Sequence, residues 1–312
     1  MKQGGMGRSH APRLHAPAPL CSFMLWEYIA NGLVVGTLYV IVALGLSIIF
    51  GMIGVINFAH GAFYALGAYF AILVKNTLGL GFTGALVISP ILVAILGMTI
   101  EALFLRRLYS GDPLLGLLFT FGLAMVIEQL IRIVWGPSGY PFDIPKALFG
   151  AVPIGPFIYS KYRLFTLVCT AILILGLWGF LEKTIYGTII RAGTRDPEMV
   201  RMLGIHLKPI FTAVFGLGIA LAALAGVLSA PLAGVQPAMG SEVGTAAFVV
   251  VTIGGLGSFW GAILAGLLVG EIVTLSIRFW PQGAQASMYI LMAFILLIRP
   301  HGLLGERWEK FE

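Results

Sequence analysis

The densest set of residues able to transmit force or do chemistry is Tyr186-Gly-Thr-Ile-Ile-Arg-Ala-Gly-Thr-Arg-Asp-Pro-Glu-Met-Val-Arg-Met-Leu-Gly-Ile. Asp196 before Pro197 is a helix start, with a side-chain cap followed by a residue that needs no N–H there. Glu198 then suits the positive helix end. Met199, Met202 and Leu203 fall on one face, and Gly204 can stop the helix. The spacing predicts about two turns of capped helix lying flat at a membrane. Its apolar face either docks on the protein's own spans or fits a groove in a soluble partner. Arg191 precedes it in the same segment.

A second set surrounds a break. Gly51-Met-Ile-Gly54 leads to Asn57, His60 and Gly61. A lone histidine at such a place either satisfies a neighbouring helix or lines a cavity where the broken helix exposes backbone polar groups. Gly254-Gly-Leu-Gly257 makes a similar break further on. Ionisable residues inside apolar runs form a third set. Glu128 and Arg132, four apart, share a helix face and read as a structural ion pair. Glu101 lies near Arg106 and Arg107. Glu271 and Arg278 share a face, and Glu271 either lines a pathway or packs against another charge. The five histidines are scattered and predict no metal site. There is no G-x-x-x-x-G-K-[ST], H-E-x-x-H or G-x-S-x-G motif, so neither nucleotide hydrolysis nor an intramembrane enzyme is expected, and no cofactor is implied.

The elements that must position these residues are apolar. Of 312 residues, 59% are hydrophobic and 10% charged, against roughly 45–50% and about 25% in soluble domains. From Tyr28 to Val74 there is no Asp, Glu, Lys or Arg, a run about twice the roughly 20 residues one crossing needs. Spans are expected near 27–50, 58–75, 83–105, 114–135, 164–181, 209–231, 244–255, 259–278 and 284–299. The seventh is too short for a full crossing and reads as a half-helix. The expected fold is therefore an all-α polytopic membrane protein of eight to nine segments, broken or half helices included. Small-residue faces, such as Gly261, Ala262, Ala265, Gly266 and Gly270, allow close helix packing.

The net charge of +6 belongs to membrane topology. Arg and Lys concentrate at 106–107, in loop 182–208 and after 299, which places that loop and the C-terminus in the cytoplasm and the N-terminus outside. No basic-aromatic cluster points to nucleic acid. The two cysteines, Cys21 and Cys169, make no disulfide framework. Residues 1–23 are rich in Ala, Pro, His and Arg and read as an unstructured tail or as an extension before a native start at Met24. The membrane-spanning domain then covers 24–305, and 306–312 is a cytoplasmic tail.

Several stretches together resemble the permease of branched-chain amino-acid ABC importers, the leucine/isoleucine/valine type. They are Asn31-Gly-Leu-Val-Val-Gly-Thr-Leu-Tyr, Phe50-Gly-Met-Ile-Gly-Val-Ile-Asn-Phe-Ala-His-Gly-Ala-Phe, Asp196-Pro-Glu with Met202-Leu-Gly-Ile, Ala222-Ala-Leu-Ala-Gly-Val-Leu, Gly254-Gly-Leu-Gly-Ser-Phe-Trp-Gly-Ala and Arg299-Pro-His-Gly-Leu-Leu-Gly. The likeness covers about 25–305 in order. The Asn-Phe-Ala-His-Gly block is more similar to the first of the family's two permease subunits.

The resemblance implies an inner-membrane transport subunit with no catalysis of its own. Its implied partners are two ATP-binding subunits, a second permease subunit (a copy or a sibling), a periplasmic or extracellular solute-binding protein, and lipid. Arg191, Asp196, Pro197, Glu198, Met199, Leu203 and Gly204 would couple to the ATPase. Asn57, His60, Gly61, Gly255 and Gly257 are the expected path residues. Two other readings stand beside this one: a permease of the same type serving urea or short amides, and a stand-alone secondary transporter.

Overall fold

The computed structural model describes residues 18–109, 111–154 and 157–305; most of the expected N-terminal tail and the 306–312 tail lie outside them. Seven helices among the described residues are long and apolar enough to cross a membrane. They are α1 (Ala18–Ile53), α3 (Gly81–Leu103, continued by a 3-10 turn), α4 (Pro113–Trp135), α5 (Lys161–Lys183), α8 (Leu207–Ala233), α10 (Phe259–Phe279) and α11 (Ala284–Ile298, preceded by a 3-10 turn). Two further helices, the 18-residue α2 (His60–Thr77) and the 16-residue α9 (Met239–Gly254), complete the bundle. Between α5 and α8 lie α6 (Ile185–Arg195) and α7 (Pro197–Met202).

Each expected span is thus a helix. α1 is longer than expected and starts at Ala18. Pro19 falls in its first turn, where a missing N–H breaks no intrahelical bond.

One non-helical element was not foreseen. β1 (Ala151–Ile154) pairs antiparallel with β2 (Phe157–Ser160). Two four-residue strands are too short for an alternating pattern to stand out. Tyr159 of this hairpin donates to the Ala30 carbonyl of α1 at 2.9 Å, tying it to the bundle. Tyr140 also forms an isolated antiparallel bridge with Val235.

Small residues cement the core. α1 and α10 meet along Gly32, Gly36, Gly266 and Gly270; a Cβ on Gly270 would overlap the Gly36 backbone. α2 lies at the centre, with Ala62, Phe63, Ala65, Ala68, Tyr69 and Ala71 all buried. Its Gly67 backs onto the main chain of Ala223 in α8. Such contacts replace the hydrophobic drive that lipid cannot supply between helices. The α4 and α5 faces are mostly exposed, as suits helices bordering lipid.

α3 is pinned to α8 through charge. Glu101 is fully buried. It accepts from Arg106 at 3.1 and 3.3 Å and from Thr212 at 2.7 Å. Glu101→Ala should therefore destabilise the bundle by about 2 kcal/mol. That is below the roughly 3–5 kcal/mol for a fully buried pair, because the Arg106 side chain is 32% exposed and can be rehydrated. Thermal unfolding of the detergent-solubilised protein measures this; an unchanged midpoint would show the ion pair to be idle.

Candidate functional site

The break after α1 re-enters the bundle. Phe50 accepts the Gly54 N–H, ending α1, and the chain then climbs back to start α2 beside the middle of α1. His60 Nε2 donates to the Val42 carbonyl at 3.0 Å. A Cβ on Gly45 would stand 2.6 Å from the Gly218 carbonyl oxygen and 3.0 Å from His60 Nε2. Gly218 is three turns into α8, roughly 16 Å along at 1.5 Å per residue. His60 therefore sits near the middle of a hydrocarbon layer of about 30 Å.

Asn57 caps this turn locally, its Oδ1 accepting from Ala59 N–H at 3.1 Å. Thr120 of α4 closes it from the side, accepting from Phe58 N–H at 3.2 Å. Asn57 and His60 are both buried. Asn57 Nδ2 and His60 Nδ1 have no hydrogen-bond partner among the described residues. Two unsatisfied polar atoms at one buried turn are costly.

Gly61 brings α9 to the same depth. A Cβ there would overlap the Gly240 carbonyl oxygen, and Gly244 lies just beyond. α9 thus starts mid-bundle and runs only 16 residues. Its first turns carry Ser241, Glu242 and Thr245, all exposed in the single chain. Glu242 lies within electrostatic reach of Tyr39 and Tyr64, and Tyr64 donates to Ser229 at 2.6 Å. A carboxylate facing lipid at this depth would cost about 2.5–3.5 kcal/mol. The sequence reading missed Glu242 because it began this half-helix at residue 244. Alongside runs a groove of about 140 Å³ lined by Phe58 in the turn before α2 and by residues of α2, α4 and α9, among them Phe121, Met125, Glu128, Ser241 and Thr245.

Gly255 and Gly257 lie at the other end of α9, not at the mid-bundle break. Both have positive φ, 101° and 81°. Gly255 packs against Gly302 and Gly305, and Gly257 faces Gly51 at the end of α1. The Arg299-Pro-His-Gly-Leu-Leu-Gly segment straps this turn: Leu303 N–H donates to Ile253 O at 2.7 Å, and Leu304 N–H to Gly254 O at 3.0 Å. Ser258 then caps α10, accepting from Gly261 N–H at 3.1 Å.

Next to the cytoplasmic ends predicted from charge, α6 and α7 form an elbow. Thr184 caps α6 by accepting from Gly187 N–H at 3.0 Å. Sequence reasoning missed this helix, although Thr184 was its signal. Asp196 Oδ1 accepts from Met199 N–H at 2.9 Å, Pro197 is the first residue of α7, and Glu198 lies in its first turn. α7 has six residues, close to the two turns expected. Gly204, at φ 82°, reverses the chain. Val200 is buried, whereas Met199, Met202 and Leu203 are 55%, 80% and 71% exposed. The apolar face is therefore not spent on the protein's own spans. Arg191 reaches back to the end of α5, pairing with Glu182 at 3.2 Å and donating to the Leu181 carbonyl.

The remaining charges are placed as follows. Glu128 and Arg132 pair at 2.7 Å, with side chains 29% and 37% exposed. Glu271 fills the space beside Gly32, and the Arg278 guanidinium lies over the Tyr28 ring at 5.5 Å. Among the described residues no group of three or more His, Cys, Asp or Glu could hold a metal ion.

Comparison with known proteins agrees with this architecture. The family described as branched-chain amino acid transport system / permease component matches residues 28–299. The high-affinity branched-chain amino acid transport system permease protein BraD of Pseudomonas aeruginosa is 31% identical over 292 residues, covering 89% of this chain and 95% of that protein. The corresponding LivH of Escherichia coli is 28% identical over 294 residues, covering 88% and 94%. LivM of the same organism is 29% identical over 294 residues, covering 86% and 68%. In fold, the chain is similar to PsaBC from Streptococcus pneumoniae, solved in complex with Fab. The TM-score is 0.50 with 13% identity, over 89% of this chain and 94% of that one. With nearly the whole bundle inside the matched range, the chain belongs to the permease family of branched-chain amino-acid ABC transport systems.

Proposed function

We propose that this chain is one of two permease subunits of an ATP-driven importer for branched-chain or related amino acids. The observation that carries the proposal is the elbow of α6 and α7: a doubly capped helix that leaves Met199, Met202 and Leu203 in solvent. A soluble partner must cover such a face, and no nucleotide-binding motif exists in this chain to power movement. Two ATP-binding subunits gripping α7 on each permease supply that partner. Asp196, Pro197, Glu198 and Gly204 shape the contact, Met199 and Leu203 fill the partner's groove, and Arg191 fixes the elbow to α5. The C-terminus and the elbow lie in the cytoplasm, and a solute-binding protein delivers cargo to the opposite face.

The path runs where polar groups meet broken helices. Asn57, His60 and Gly61 form its waist at mid-membrane, next to the exposed turns of α9. Gly255 and Gly257 form its inner rim, where the strap of residues 299–305 holds the turn. Asn57→Ala and His60→Ala should each lower solute uptake about tenfold with unchanged membrane level, as measured in cells carrying the complete transporter. Normal uptake by both variants would remove these residues from the path. The importer reading itself is tested by uptake into vesicles with and without the ATP-binding subunits; unaided pumping would mean a stand-alone transporter.

A further inference from the structure

A second groove, of about 450 Å³, lies between α5, α6 and α8 on the elbow side of the bundle. Ligand pockets typically span about 300–1,000 Å³. Phe180 lines it from the last turn of α5, Tyr186 and Ile190 from α6, and Pro209, Ala213 and Leu217 from α8. The Tyr186 hydroxyl is the only polar side-chain group in this lining, so an occupant must be apolar along most of its length. Position adds a direction. Pro209 lies in the first turn of α8, and Leu217 precedes Gly218, the level of the mid-membrane waist. Eight residues at 1.5 Å each make the groove about 12 Å long, against about 15 Å for half of a hydrocarbon layer of about 30 Å. It therefore runs from the elbow-side surface to the midplane. At its surface end Ile190 is buried, whereas Ile185 and Tyr186, one turn earlier, are 80% and 68% exposed. The neighbouring α5 is mostly exposed along its crossing, which puts lipid at the mouth of the groove.

We propose that this groove holds one acyl chain of a membrane phospholipid, seated between α6 and α8 with its head group beside Tyr186. Three features select that occupant. The lining is apolar, the length matches one leaflet, and Tyr186 stands where an aromatic ring with a polar tip meets the headgroup layer. A protein segment fits less well. An extended strand would bring backbone N–H and C=O groups that the lining cannot pair. A helix pairs its own backbone, but at about 10–12 Å across it is too wide for a groove of this volume and length. The acyl chain covers the exposed Tyr186 ring and wedges α6 against α8, so the anchorage of the elbow includes a lipid. This inference goes beyond the importer reading and does not depend on it.

The test separates a seated lipid from the lipid that surrounds any membrane protein. The complete transporter is reconstituted in vesicles of phosphatidylcholine carrying a photoactivatable diazirine on the acyl chain. It is then washed in detergent to remove loosely held lipid, and illuminated. Peptide mapping should find residues 186–190 and 209–217 labelled at least fivefold more than Leu118, Val126 and Ile133, which are exposed on α4. Equal labelling would mean surrounding lipid only and overturn the proposal. Ala213 lines the groove and is exposed, so Ala213→Trp fills the groove without entering the core. It should cut labelling of 186–190 at least fivefold and leave α4 unchanged; unaltered labelling of 186–190 would overturn the site. Should that variant fail to reach the membrane, the comparison within the unmodified protein still decides. A benzophenone attached at Ala213→Cys addresses the other occupant: cross-links to lipid alone are expected, and cross-links to another subunit would place a protein on this face and overturn the lipid assignment.

Discussion

Gly61→Val should leave almost no folded protein in the membrane. The added carbons would have to occupy the place of the Gly240 carbonyl oxygen and press on the Gly244 backbone. Neither obstacle is a side chain that can rotate away. Overpacking of a core commonly costs about 1–3 kcal/mol, and a main-chain collision with no relief belongs at or above the upper end. The effect would also be specific in position: α2 and α9 would separate at the depth where both begin, removing the waist and the groove together. Detergent-extracted yield and monodispersity on size exclusion measure the loss. A folded, abundant Gly61→Val protein would mean that α9 does not approach α2 this closely.

The second large effect concerns the elbow and has the opposite character. Met202→Asp combined with Leu203→Asp should leave the bundle folded and abolish ATP-driven uptake, at least a hundredfold down. Both side chains are largely in solvent, where substitutions usually change stability by no more than about 0.5 kcal/mol. Buried apolar anchors at the centre of a contact, by contrast, dominate binding, and a carboxylate in place of each would be desolvated without a partner. Co-purification of the ATP-binding subunits with the tagged chain is the direct readout. Retained attachment with lost uptake would move the role of α7 from grip to transmission, and retained uptake would place the coupling contact elsewhere.

The helices were legible because lipid imposes a simple requirement on sequence. Long runs without charge have one solution, and glycine clusters such as Gly51 to Gly54 and Gly254 to Gly257 mark where they stop. The Asp196 cap and Gly204 stop were legible for the same local reason, and whether the α7 face is covered needed the structure. Depth was not legible. That His60 lies at mid-membrane follows from Gly45 meeting Gly218, residues far apart in sequence. The face of α9 was hidden by a shift of five residues in its start, which kept Glu242 outside the helix. The groove draws on positions near 58, 121 and 240, and no local pattern links them. The hairpin at 151–160 gave too short a signal.

The glycine seam between α1 and α10 limits how this protein can change shape. Gly36 and Gly270 touch backbone to backbone, with Gly32 facing Glu271 and Val40 facing Gly266. A one-turn ratchet of either helix would bring Leu267 or Glu271 against a main chain that has no room for them. The two helices must therefore tilt as a single beam, carrying the inner turn at one end and the outer rim at the other. A cross-link between them should leave transport intact, whereas the same staple placed between α2 and α4 should stop it.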